Sequence, residues 1–359
     1  MVNVLGFDVG GVNTKAAYME TNGGLVVKGK TASQHFPIWK RSLDQLPVML
    51  DGLLKQLRGP SRLDGVGLTM TAELSDAYRT KREGVNHILG SIEQILNGIP
   101  CFVLDVNAKL RSLEAARSDP LAVAAANWVA TGWMVSQRIR DCIVVDIGST
   151  STSIIPIVNG EIAAKGRNDL EKLMTGELVY TGSLRTNVAS IVDSIKIRGG
   201  KARVSSELFA QSGDVHLILR NIRKGDYTVE TADGRDVTRC EAMARLARVI
   251  CADIEMLSEQ EIVDVANQVY NRQIEQVGEG LEQVRARLKT NYEHEPPVVV
   301  TGMGREFLAK AAAQKVGFQE IVDLGDVMGA DAALVSPSVG VALMAASRLE
   351  GMTIHWMLQ

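Results

Sequence analysis

Residues 4–18 read VLGFDVGGVNTKAAY, and residues 142–156 read CIVVDIGSTSTSIIP. Aligned at an offset of 138 (146 − 8), Asp8 matches Asp146, Gly10 matches Gly148 and Thr14 matches Thr152. Each copy is an apolar run, an aspartate, then glycine with hydroxyl or amide side chains, then a second β-type run. The pattern predicts a β-hairpin whose turn exposes backbone N–H groups and short donors, a geometry suited to phosphate oxygens. Two copies predict a duplicated α/β chain of two phosphate-binding halves with the site in the cleft between them.

Outward from the first copy, the pattern predicts strands at Val2–Asp8, Asn13–Met19 and Leu25–Lys30, with turns at Val9–Val12 and Thr21–Gly24. Leucines at helical spacing predict a helix over Ser42–Leu57. Gly65–Met70 reads as a buried strand that ends at Thr71-Ala72-Glu73-Leu74-Ser75-Asp76, the strand end at which open α/β sheets bind ligands. Ser91–Leu96 reads as helix and Cys101–Leu104 as strand. The Ala-rich stretch Asp119–Arg138, opened by Asp-Pro, reads as one long buried helix packed between the halves. The second copy supplies strands Cys142–Asp146 and Ser151–Val158 and an Asn159-Gly160 turn. Residues 163–235 read as an insertion. Helices follow at Glu241–Glu255 and Glu261–Leu288, a strand at Pro297–Thr301, then helices at Glu306–Lys315 and Val341–Leu349. The expected domains are 1–140, joined by a C-terminal helix over 337–359, and 141–336. This element order excludes a simple Rossmann domain, and no GxGxxG follows the first strand.

The composition suits a globular chain of 359 residues, with 46% hydrophobic and 23% charged residues. A net charge of −3 offers no basic footprint for nucleic acid and no polybasic membrane patch. No apolar run approaches the ~20 residues that span a bilayer. No signal-peptide pattern opens the chain. Cys101, Cys142, Cys240 and Cys251 form no CxxC pair and read as reduced core residues, which points to the cytoplasm.

The chain resembles the actin/Hsp70/sugar-kinase superfamily. Its members place a first D-x-G loop (here Asp8–Thr14), a second (Asp146–Thr152) and a glycine-rich nucleotide-edge turn (Gly302, Gly304, with Arg305) around one cleft. The resemblance implies a duplicated ribonuclease-H-like, two-domain fold. A narrower resemblance rests on GFDVGGVNTKAA, GLTMTAELSDAY followed by KREGV, AAANW, TGELVYTGSLRT, TADGR and RLARVICADIE. These strings are similar to the family linked to tetrahydromethanopterin-dependent one-carbon transfer, related to the hydantoinase/oxoprolinase group. That resemblance implies methanofuran biosynthesis, with (5-aminomethyl-3-furyl)methyl diphosphate joined to the phenol of γ-glutamyltyramine and diphosphate released.

Asp8 and Asp146 end their strands as candidates for proton transfer or for orienting water on Mg²⁺, or for capping the hairpin. Their spacing suits Mg²⁺ held mainly by phosphates and water. Gly10, Gly11 and Gly148 admit phosphate where a Cβ would block it, or serve turns that need positive φ. Asn13, Thr14, Ser149, Thr150 and Thr152 supply neutral donors. Alternation puts Asn13 and Lys15 opposite Thr14, and the pair is favoured because a lysine facing the core is costly. Glu73 and Asp76 are candidate general bases or ligands of a substrate amine, or favourable helix N-terminal charges. Arg185 is a candidate for diphosphate or carboxylate, and Glu177 and Tyr180 for substrate. Asp233 and Arg235 in TADGR read as an Asp-Gly turn. His87 and the other histidines show no zinc spacing. Trp128, Trp133 and Met134 fit helix packing. A kinase or ligase using ATP, and a nucleotide-switched binding protein, stay open as alternatives, as does a homodimer.

Overall fold

The computed structural model describes residues 1–59 and 61–356. The first part of the chain runs β1 (Val2–Val9), β2 (Asn13–Asn22), β3 (Leu25–His35), α1 (Gln45–Arg58), β4 (Gly65–Met70), α2 (Lys81–Leu96), β5 (Cys101–Leu104), β6 (Leu110–Arg111), α3 (Leu113–Ser118) and α4 (Asn127–Ser136). Next come β7 (Cys142–Ile147), β8 (Thr152–Val158), β9 (Glu161–Ile162), α5 (Asp169–Thr175), β10 (Leu178–Val179), α6 (Val188–Ile191), β11 (Ser194–Ile197), β12 (Gly200–Arg203) and α7 (Ser212–Ile218). The rest is α8 (Arg239–Arg248), α9 (Glu259–Leu288), β13 (Val298–Gly302), α10 (Lys310–Val316), β14 (Ile321–Asp323), α11 (Leu324–Met328), α12 (Ala330–Leu334) and α13 (Ser336–Glu350). Two compact units divide the chain. One holds Met1–Val144, Ile155–Glu171 and the chain from Asp323 onward, the other Val145–Ile154 and Lys172–Val322.

In the first unit the sheet order is β3-β2-β1-β4-β5-β6. β1 is antiparallel to β2 and parallel to β4. Alternation gives each face of β1 its own task. Leu5, Phe7 and Val9 join Leu68 and Met70 in a core closed by Leu46 and Leu50 of α1 and by Ile88 and Leu89 of α2. The other face carries Gly6 and Asp8. α13 lies so close there that a Cβ on Gly6 would sit 2.0 Å from the Ser338 carbonyl oxygen.

The second sheet has the order β10-β8-β7-β13-β14, with β9 on β8. Its run β8-β7-β13-β14 repeats the β2-β1-β4-β5 order of the first sheet, as a duplication requires. α9 starts with a full capping box between Ser258 and Glu261. Residues 163–235 carry α5, β10, α6, the β11–β12 hairpin and α7. Within the second unit, the buried Arg245 binds Asp214 at 2.8 Å, and both Arg245 and Arg248 reach Asp233. That network pins the Asp233-Gly234 turn, where Gly234 has φ +71 and the Arg235 N–H donates to Asp233.

Several expected bounds are corrected. Asp119–Arg138 is not one helix. Pro120–Ala122 forms a 3₁₀ turn, Ala125 sits in the left-handed region at φ +51, and only Asn127–Ser136 is α-helical. Glu241–Glu255 stops at Arg248, and Cys251 follows at φ +56. α2 begins at Lys81 rather than Ser91, because Thr80 accepts the Glu83 N–H as an N-cap. α13 starts at Ser336, since Pro337 is tolerated in a first turn whose N–H has no helical partner. Residues 357–359 of the expected C-terminal helix lie outside the described residues. The turn after Gly304 winds as a π-helix over Arg305–Ala309 before α10. None of the four cysteines is in a disulfide; Cys101 and Cys142 are buried, but Cys240 and Cys251 are exposed, so the latter two are not core residues.

Candidate active site

In the first unit, β1 and β2 are joined by Gly10-Gly11-Val12, which lies against the segment that leaves β4. The Thr71 N–H donates to the Val9 carbonyl at 2.9 Å. The register sets Asp8 between Lys15 on β2 and Thr69 on β4. Directly paired residues share a face, so these three side chains project together. Asp8 is only 6% exposed, and the buried Thr69 hydroxyl has no hydrogen-bond partner. Lys15 and Asn13 are half-buried, and Asn13 Oδ1 of the side-chain amide lies 3.1 Å from His35 Nδ1. Thr14 points the other way, beside Val9. It is fully buried with its hydroxyl unbonded.

None of Gly10, Gly11 and Gly148 has positive φ, so turn geometry does not call for glycine there. Gly10 is required by the fold, since a Cβ would lie 2.4 Å from the Asn13 carbonyl oxygen. At Gly11 the nearest atom to a Cβ would be 3.7 Å away, on Ser75, and at Gly148 also 3.7 Å, on Ser151. Bare backbone at those two positions answers no demand of the fold itself.

Glu73 sits in a 3₁₀ turn over Ala72–Leu74 and is 1% exposed. Neither carboxylate oxygen has a hydrogen-bond partner. Lys81 Nζ stands 4.0 Å from Oε1 and 2.5 Å from Asp169 Oδ2. Burial pushes the Glu73 carboxyl from 4.5 up to about 7, against the pull of Lys81 and of the Glu73 and Ala125 backbone groups. α2 presses directly on this turn, and a Cβ on Gly84 would lie 2.5 Å from Glu73 Cα. The Tyr78 hydroxyl meets His87 Nδ1 at 2.6 Å. Burial raises the phenol and lowers the imidazole, so the phenol donates and neutral His87 accepts. Asp76 is exposed.

The second unit builds its own loop cluster. Asp146 is half-buried at the end of β7, and Gly302 faces it at φ +82. Ser149, Thr150 and Ser151 are half-buried, whereas the buried Thr152 donates its hydroxyl to the Thr181 carbonyl at 2.8 Å. The 181–185 segment is laid on this loop. The Ser183 N–H donates to Gly148 O, and the Leu184 and Arg185 N–H groups to Ser149 O. Arg185 Nη1 reaches Thr150 Oγ1 at 3.3 Å. Gly304 packs on Ile147 and Ser183, and Arg305 pairs with Glu306 at 2.7 Å. Glu177 is fully buried and bound by Arg287, while Tyr180 is exposed. Behind the segment, Gln273 donates to Thr181 Oγ1 and Gly182 O, both at 2.8 Å, and faces the buried His216 at 3.0 Å.

Thr69, Lys81, Asp169 and Ser183 were missed in the sequence reading. The signal for Thr69 is the parallel β1–β4 register, which a repeat of two hairpins does not reveal. Among the described residues no group of three or more His, Cys, Asp and Glu forms a metal cage. The donor set at Asp8, one carboxylate beside a free hydroxyl, fits Mg²⁺ only with phosphate and water completing its shell.

The hydantoinase/oxoprolinase family model matches residues 64–348. This chain belongs to that family. A relative from Methanocaldococcus jannaschii is 39% identical over 352 residues, covering 97% of this chain and 99% of its own. It is named (4-{4-[2-(gamma-L-glutamylamino)ethyl]phenoxymethyl}furan-2-yl)methanamine synthase. A relative of the same name from Methanococcus vannielii is 35% identical and covers 60% of this chain and 96% of its own. An acetone carboxylase in nucleotide-free form superposes with a TM-score of 0.55 at 12% identity, covering 95% of this chain and 70% of that one. The family member described here therefore has the actin/Hsp70/sugar-kinase fold, with two ribonuclease-H-like sheets in one chain. Among the described residues no helix is long and apolar enough to cross a membrane.

Proposed function

We propose that this chain condenses (5-aminomethyl-3-furyl)methyl diphosphate with the phenol of γ-glutamyltyramine, forming an aryl ether and releasing diphosphate in methanofuran biosynthesis. The full-length relative that carries the synthase name supports the substrates. The observation that carries the chemistry is Glu73, a carboxyl buried without a hydrogen-bond partner on the turn whose Ala72 and Ser75 lie against Gly11, where desolvation raises its pKa toward neutral.

The bond between the furanylmethyl carbon and the diphosphate oxygen breaks, and the oxygen leaves with the electron pair. The furan ring stabilises the resulting cation. The phenol oxygen attacks that carbon, and its proton passes to Glu73. An unperturbed phenol has a pKa of about 10, so a base matched to neutral pH is useful here. Backbone N–H groups at Gly10 and Gly11, with Lys15, hold the charge on the departing diphosphate. The side without a Cβ at Gly11 gives phosphate room to approach. Asp8 would hold Mg²⁺ through water, and the ion would neutralise diphosphate charge. Asp76, being exposed, is the weaker candidate for the base. Gly148, Ser149 and Thr150, with Arg185, have the donor chemistry of a second anion-binding turn. Four cysteines outside any disulfide support a reducing, cytoplasmic setting.

The test is direct. The purified chain, the two substrates and Mg²⁺, without ATP, should yield the ether by mass spectrometry and diphosphate in equal amount. Consumption of ATP with no ether would replace this reading with a kinase-type one.

A further inference from the structure

We propose that the Lys81–Asp169 ion pair is a positioning device for Glu73: Asp169 parks the ammonium one step short of a hydrogen bond to the buried carboxylate, which thereby keeps its hold on a proton. The inference rests on Glu73 being the base. Lys81 Nζ lies 2.5 Å from Asp169 Oδ2 but 4.0 Å from Glu73 Oε1. Its backbone has little latitude. Thr80 caps α2, and Gly84 packs the same turn against Glu73 Cα. Asp169 opens α5 and belongs to the same compact unit.

The charged groups acting on Glu73 are Lys81 from α2 and Asp169 from α5. Tyr78 turns its hydroxyl to His87, and the Glu83 carboxylate accepts from the Arg79 N–H. A lysine hydrogen-bonded to Glu73 would hold it ionised and weaken it as a base. With no lysine at all, burial would keep it protonated and unable to accept the phenol proton. The observed spacing lies between these extremes, and the two partners act in opposite directions. Lys81 favours the charged carboxylate, while Asp169 both opposes that charge and restrains the lysine.

Carbon-13 NMR of labelled glutamate, with Glu73 assigned by its loss in Glu73→Gln, reads the titration without any substrate. Lys81→Gln should move the midpoint up by about one to three pH units, the range given by an opposite charge at this distance. Asp169→Asn should move it down, as the released ammonium closes on Glu73. The double variant should follow Lys81→Gln. In steady-state kinetics the acid limb of the kcat profile should move with each midpoint, while KM for the phenol stays within about twofold. Lys81→Met, which keeps the packing of the aliphatic stem, guards against a folding defect. Midpoints that stay put, or that move the same way in both single variants, overturn the device. Midpoints that move as expected while Glu73→Gln keeps full turnover uphold the device and overturn the base assignment instead.

Discussion

Replacing Glu73 with glutamine should make the protein slower and more stable at once. Glutamine keeps the shape of the side chain but cannot take a proton. Turnover should fall roughly 10²–10⁴-fold, the usual contribution of a positioned base, with acceptor affinity little changed. The stability effect follows from burial. Glu73 goes from 4.5 in the unfolded chain to about 7 in the folded one. Between those values the folded state carries a proton that the unfolded state has lost. The raised group therefore contributes stability that is fully present below 4.5 and lost as pH rises through 7. A gap of about 2.5 units at 1.36 kcal/mol each gives about 3 kcal/mol, an order-of-magnitude figure for so buried a group. Glutamine has no such loss. Urea unfolding of both proteins at pH 5 and pH 8 should show the variant gaining about 2.5 kcal/mol on the wild type across that interval, since part of the gap lies below pH 5. Other titrating groups are common to both and cancel in the difference. Parallel pH profiles would show that Glu73 is ionised throughout, and the argument for a buried, neutral-pH base would fall with them.

Other perturbations address separate parts of the molecule. Lys15→Ala should weaken Mg²⁺-diphosphate binding by about 1.5–3 kcal/mol in calorimetry, as expected for a charged hydrogen bond, and unchanged affinity would remove the first loop from the phosphate site. Asp214→Ala removes the fully buried partner of Arg245, leaving that guanidinium the longer 3.2 Å ion pair with Asp233, and should cost about 3 kcal/mol in urea unfolding. Replacing both partners with apolar residues should recover much of that loss, and a failure to recover would show the pair does more than satisfy itself. Gly182→Ala would place a Cβ 2.5 Å from the Thr150 backbone. It should destabilise by about 1–3 kcal/mol and shift the amide resonances of residues 148–151, and an undisturbed spectrum would show that the 181–185 segment does not support the loop.

The duplicated hairpin was legible in the sequence because strand alternation and turn chemistry are local. An aspartate, a glycine and hydroxyl residues after an apolar run say the same thing wherever the chain goes. The strand at Gly65–Met70 keeps its expected bounds because a short apolar run closed by a polar segment is also a local signal. The Ala-rich stretch after Asp119 shows where local reading ends. Its composition favours helix, yet Ala125 takes a left-handed backbone and leans its backbone group toward Glu73. Glu73 and Asp76 were equivalent in the sequence, two carboxylates three residues apart on one turn. Only the tertiary structure separates them, by sealing Glu73 under Gly84 and α2 and leaving Asp76 in solvent. Thr69 and Asp169 likewise gain their meaning from partners far along the chain, through the β1–β4 register and the Lys81 ion pair. A turn is decided by the dihedral preferences of adjacent residues. The proton affinity of a carboxylate is decided by every group that displaces water around it, and those groups are brought together only by folding.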